Sequence, residues 1–381
     1  MINQGKNKFI EIENIEKSYS EKKIRYNILD NFKGILIFLV VFGHFLFEHS
    51  IHHKKSFINK IVKYIYIFHM PSFIFCSGFL SKSENSRSFT TLSKLILIYL
   101  IFNFSHGYIL YLYRNEKFRL FFPYNSYWYL LCIIYWRFSI KYFASQYCSI
   151  SISFIISILI GFWREITSEF SLNRTFSFFP YFLIGYKISK DNFHKILENR
   201  KRFKIIVYSL FLFFFLFSIK SFPNIELSHS MMDTSYKNYK NDIKIRIKLF
   251  IFSFFYIILI ILVLPNLKIP FITKIGKNSL FIYTFHRIFT IILRHETFSK
   301  SQKDSYIILC YLIFSIIICF IFGSNYFTNI MNLFINYLHE NLKSMEKKGK
   351  ITGLFFSFSF ISILMIEPLQ KIKEKRKNKI H

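Results

Sequence analysis

The chain has 381 residues, of which 52% are hydrophobic and 21% aromatic, Phe alone contributing 52. A soluble domain of that length needs far more polar surface; the apolar residues also lie in long blocks rather than amphipathic stripes, which excludes a soluble hydrolase and indicates a membrane protein. The net charge of +30 comes mostly from Lys in short loops between those blocks, so it reads as headgroup anchoring and topology rather than as a nucleic-acid-binding face.

In chain order, residues 1–27 are polar and mixed in charge. The apolar block that begins at Ile28 lacks a small-residue cleavage site, so it is expected to remain as the first membrane helix and not to be removed as a signal peptide. Further blocks run at 61–80, 92–113, 120–136, 148–163, 176–188, 203–219, 249–265, 279–293 and 305–323, with another at 351–366. The blocks at 120–136 and 176–188 are short and read as tilted, broken or partly re-entrant. The longest polar interruption, 220–248, reads as an external loop or surface helix. No internal repeat is evident. The expected fold is all-α, a polytopic membrane helix bundle of about ten transmembrane helices. Residues 1–27 form a cytoplasmic segment, 28–323 the membrane domain, and 324–381 a C-terminal segment with a candidate extra helix and a basic tail. Lys and Arg in the loops favour an N-terminus inside, by a narrow margin. Cys76, Cys132, Cys148, Cys310 and Cys319 make no CxxC pair and read as buried structural thiols, with neither a zinc site nor a disulfide framework.

The first block carries the chemistry. A charged residue inside a membrane block is costly and points to function. Lys33 and His44 are eleven residues apart, close to three helical turns, so they share a helix face about 16 Å apart along the axis. Glu48, four residues beyond His44, lies on the same face. His44 suits a general base for an alcohol, Glu48 an acid that holds the imidazole in the useful tautomer, and Lys33 a partner for donor phosphate. A donor with phosphates at one end and a thioester at the other, such as a coenzyme A thioester, would bridge the two positions. The structural alternative is that Lys33 snorkels to the interface, His44 bonds a neighbouring helix and Glu48 faces water. Gly43 permits close approach of a substrate or helix beside His44.

Asp30-Asn31-Phe32-Lys33-Gly34-Ile35, followed by Val40-Val41-Phe42-Gly43-His44-Phe45, resembles the first-helix motif of the membrane acyltransferase 3 family, and in particular its fucose 4-O-acetylase-like branch. The stretch Phe68-His69-Met70-Pro71-Ser72 through Ser77-Gly78-Phe79 is similar to the family's second-helix signature. Trp128-Tyr129-Leu130-Leu131 resembles its tryptophan motif, and Arg174-Thr175 with Phe178–Gly185 its sixth-helix region. Gly276-Lys277-Asn278-Ser279-Leu280 with Tyr283 and His286 resembles its late-helix motif. The matches keep family order over residues 25–290. Lys33 stands where many members have Arg, and it offers a point charge without the planar fork. The resemblance implies about ten membrane helices, an acyl-CoA donor and O-acylation of a glycan or glycolipid, with His44 catalytic and Lys33 assisting.

The expected site is therefore His44 and Glu48 as catalytic residues, with Lys33, Asp30, Asn31, His69, Arg174 and His286 binding donor or acceptor. The expected reaction moves acetyl from acetyl-CoA, as co-substrate with no tightly bound cofactor and no metal, to a hydroxyl of a surface sugar. The expected setting is a bacterial plasma membrane. For each outlying residue a structural reading stands beside the functional one. His69 either satisfies the backbone freed by Pro71 or lines a cavity. Arg174 either anchors at the interface or binds substrate. Ser77-Gly78 reads as small-residue helix packing. Trp128 and Tyr129 read first as interfacial aromatics and second as a stacking wall for a sugar. His286 and Arg287, both mid-span, need partners and so read as lining a polar cavity. His52-His53 reads as a solvated loop. The rival functions are a transporter or flippase, which has the same kind of cavity, and a noncatalytic membrane scaffold.

Overall fold

A computed structural model describes residues 27–50, 57–115, 117–119, 122–163, 169–199, 203–221, 232, 235–292 and 303–347. Among the described residues every regular element is helical. In chain order they are α1 Asn27–Ser50, α2 Phe57–Leu80, the single turn α3 Glu84–Arg87, α4 Phe89–Arg114, α5 Trp128–Ala144, α6 Ser149–Leu159 and α7 Leu172–Lys187. They continue with α8 Lys190–Asn199, α9 Lys204–Ser221, α10 Tyr239–Val263, α11 Pro270–Lys277, α12 Ser279–Ile292, α13 Asp304–Phe322 and α14 Asn325–Lys347.

Each of the ten apolar blocks up to residue 323 overlaps one of these helices. Among the described residues five helices are long and apolar enough to cross a membrane: Asn27–Ser50, Phe57–Leu80, Phe89–Tyr113, Tyr239–Val263 and Asp304–Phe322. The chain is thus an all-helical membrane protein. The remaining helices are shorter. α5 and α7 have 17 and 16 residues, about 25 Å of helix at 1.5 Å per residue, against about 30 Å of hydrocarbon. The polar stretch read as an interruption up to 248 is helical from Tyr239 onward, its start capped by the Asn238 side chain, which accepts from Asn241 N. Three polar or amphipathic helices, α8, α11 and α14, carried no long apolar block to reveal them. The candidate helix at 351–366 and the His52-His53 pair lie outside the described residues.

α1 and α2 form the centre. α2 packs along α7, and α1 packs against α2, α11, α12 and α13. The α2–α7 contact is made by two glycines that face each other's backbone: a methyl at Gly78 would overlap the Phe182 carbonyl, and one at Gly185 the Phe75 carbonyl. The α1–α11 contact works the same way through Gly34 and Gly276, which meet the backbone of Ile272 and Asp30. In lipid, where apolar burial gives no drive between helices, such close van der Waals approach is what holds them. Pro71 sits inside α2 and has no N–H to give Ile67. The Ile67 carbonyl is met instead by the Ser253 hydroxyl of α10 at 2.7 Å, so the break in α2 becomes a tie to a neighbour.

Candidate active site

The site lies between α1, α2, α7 and α12, away from the glycine contacts. The residues that line its cavity of about 220 Å³ include His44, Tyr66, His69, Arg174 and Arg287, with Trp128 among its aromatic walls. α1 supplies His44 from 17 positions along the helix, about 25 Å from Asn27. The loop between α4 and α5 supplies Asn125 and Ser126, which also line the cavity. The loop is held at that depth by Asn103 of α4, whose side chain accepts from Tyr124 N at 2.8 Å and donates to the Phe122 carbonyl at 3.1 Å. It is stitched to α12 by Tyr127, whose hydroxyl donates to the Thr284 carbonyl at 2.8 Å, and by Tyr283, whose hydroxyl donates to the Ser126 carbonyl.

Around His44 the rings are closely set. Its Nδ1 lies 3.1 Å from the Tyr66 hydroxyl. The His286 ring stacks on it with centroids 5.2 Å apart. His286 donates Nδ1–H to the Ile282 carbonyl at 3.2 Å, one turn back on its own helix, and His69 does the same to Ile65 at 2.8 Å. Each ring is thereby fixed, with its Nε2 left as a lone-pair acceptor. Next to His286, Arg287 is 3% exposed and its Nη2 reaches Glu48 Oε1 at 3.3 Å. Arg174 places its guanidinium 4.9 Å from the centroid of the Trp128 ring, a cation–π contact strengthened away from water.

The structure brings together His44, His69, Arg174 and His286, as well as Glu48 by way of Arg287. It does not bring Asp30, Asn31 and Lys33 to that cavity. Lys33 Nζ pairs with Asp30 Oδ1 at 3.4 Å, at the other end of α1. Asn31 is fully buried and structural: its amide donates to the carbonyls of Pro265 and Leu267 at 3.1 and 2.7 Å, and its oxygen accepts from the Thr273 hydroxyl at 2.6 Å. It latches α1 to the turn before α11, and its hydrogen-bonding capacity there is largely taken up.

The expected orientation of His44 by Glu48 is also corrected. A carboxylate four residues on shares the helix face, but a buried guanidinium is the stronger partner for it, and Arg287 takes it; Tyr66 takes the imidazole. Trp128 and Tyr129, expected first at the interface, are buried: Trp128 lines the cavity and Tyr129 bonds the Ser77 hydroxyl at 2.6 Å. Among the cysteines, Cys148 is exposed rather than buried. Sequence reading missed Tyr66, although it stands three residues before His69 on one helix face. It also missed Asn125 and Ser126, which carry no spacing signal because a loop presents them.

A helical membrane bundle that encloses two imidazoles, two guanidiniums and a set of hydroxyls in a cavity between its central helices belongs to the class of integral-membrane proteins with a buried polar site. A family model described as an acyltransferase domain matches residues 26–324, and the chain belongs to the acyltransferase 3 family. It is a membrane acyltransferase. No curated protein and no solved structure matches the chain.

Proposed function

We propose that the chain transfers an acetyl group from acetyl-CoA to a hydroxyl of a cell-surface sugar or polysaccharide precursor, in a bacterial plasma membrane. The observation that carries the reading is the His44 imidazole at the wall of a polar cavity, with its Nδ1 engaged by Tyr66. When Nδ1 carries the proton and donates it to the Tyr66 oxygen, Nε2 is free to act as base. His44 then removes the proton of a sugar hydroxyl as its oxygen attacks the thioester carbonyl. Collapse of the tetrahedral intermediate expels the thiolate, which takes the proton back from His44 and leaves as the free thiol, with an ester on the sugar. Lys33, held by Asp30 at the far end of α1, suits the phosphate end of the donor, and the aromatic wall of Trp128 suits a sugar ring.

The test is mass spectrometry of surface polysaccharide from cells with and without the protein, and with His44→Ala. The expected result is a mass shift of one acetyl group that requires both the protein and His44. An acetylated product that persists with a correctly inserted His44→Ala protein rules out His44 as the base. A glycan profile that never depends on the protein rules out the surface acceptor.

A further inference from the structure

Acyl transfer puts a full negative charge on the former carbonyl oxygen at the tetrahedral stage, and enzymes meet that charge with fixed donors. His44, as base, is not such a donor, and the reaction needs one within the same cavity. Arg287 has what is required. It lines the cavity with His44 and is 3% exposed. Its Nε and Nη1 have no hydrogen-bond partner among the described residues, while Nη2 is held by Glu48. A buried charged N–H left without an acceptor is costly, a cost a structure retains where the group has work to do.

The ion pair also tells what kind of oxygen fits. Glu48 balances the Arg287 charge in the resting state, so a neutral carbonyl that becomes an oxyanion only as the bond forms asks for no permanent counter-charge at this point. The unpartnered Nε–H and Nη1–H lie on different sides of the planar guanidinium, with the Glu48-bound Nη2 shared by its two edges, so each can meet an oxygen singly. His286, the preceding residue, stacks on His44 and keeps this stretch of α12 beside the base.

We propose that Arg287 is the oxyanion donor of the acyl transfer, with Glu48 as the residue that holds it in position. This rests on the acyl-transfer reading. In the balanced step, the acceptor C–O bond forms as His44 takes the hydroxyl proton, and the carbonyl electron pair moves to the oxygen, which accepts from an unpartnered N–H of Arg287. That pair returns as the C–S bond breaks, and the thiolate takes the proton from His44.

The experiment uses the full chain in nanodiscs, with acetyl-CoA and de-O-acetylated surface polysaccharide as probes. Release of thiol is followed for the wild type, Arg287→Gln and Arg287→Lys. The expected result is a fall in kcat of about 100- to 1000-fold in Arg287→Gln, with the KM for polysaccharide nearly unchanged, and partial recovery in Arg287→Lys, which keeps a cation for Glu48. A second readout needs no turnover: the infrared carbonyl band of acetyl-CoA bound to His44→Ala. That band is expected to lie below its position in water, and to return toward it in the His44→Ala, Arg287→Gln double variant. An identical band in both, or a raised KM with kcat retained, overturns the oxyanion role and assigns Arg287 to acceptor docking. Absence of His44-dependent thiol release from the wild type overturns the acyl-transfer reading itself, a separate outcome.

Discussion

Tyr66 and Arg287 divide between them the partners that spacing along α1 had paired. His44 and Glu48 share a face at i and i+4, yet each finds its hydrogen-bond partner on another helix, at 3.1 Å and 3.3 Å. Helical periodicity reports which side chains of one helix look the same way. It does not report what stands opposite them, and in a bundle the opposite helix decides. His44 was legible as a candidate from its own helix, because an imidazole and a cation on one face of an apolar span demand an explanation. Its partners were not. If Tyr66 orients the imidazole, Tyr66→Phe removes one hydrogen bond worth about 0.5–1.5 kcal/mol, a loss of about two- to tenfold in kcat. Thiol-release kinetics at saturating acetyl-CoA measure this. An unchanged kcat in Tyr66→Phe shows that His44 is held without it.

At the scale of the elements, small residues sit where helices nearly touch. Gly78 and Gly185 let α2 and α7 meet backbone to backbone, and Gly34 and Gly276 do the same for α1 and α11. Ser77-Gly78 was legible as a packing pair; the partner surface was not, since nothing in a sequence says which helix will lie against which small residue. The same holds for Pro71: the kink position could be read, but not that Ser253 of α10 would occupy the freed carbonyl. Gly78→Ala forces a methyl into the Phe182 carbonyl, and overpacking of this kind costs about 1–3 kcal/mol. The expected outcome is a lower thermal unfolding midpoint in detergent, while Gly43→Ala, which meets only the side chains of Ile65 and Tyr66 with its nearest atom at 3.3 Å, falls less. Equal midpoints for wild type and Gly78→Ala contradict the close crossing.

Across the whole molecule, composition and block length sufficed for a helical membrane bundle, because a chain in lipid has few ways to satisfy its backbone. They did not reveal α14, whose residues lack the long apolar run by which spans are recognised. Orientation rests on loop charge and can be checked with a natural probe. Cys148 is exposed between α5 and α6, while Cys76, Cys132 and Cys319 are buried. With the N-terminus inside and α1, α2, α4 and α5 each crossing once, Cys148 is expected to face the cytoplasm. In a Cys310→Ser background a membrane-impermeant maleimide is expected to label it in inverted vesicles and not in intact cells; the reverse pattern inverts the topology. The glycine contacts and the cavity also stand in a fixed mechanical relation. On α2, Gly78 is nine residues from His69, and on α7, Gly185 is eleven from Arg174, so pinch point and reaction chamber are separated by about 13–17 Å of helix. A methyl group at the pinch forces α2 and α7 apart at a place that does not line the cavity, yet it moves the two helices that carry His69 and Arg174; a substitution can thus be felt in the cavity from one end of the bundle to the other.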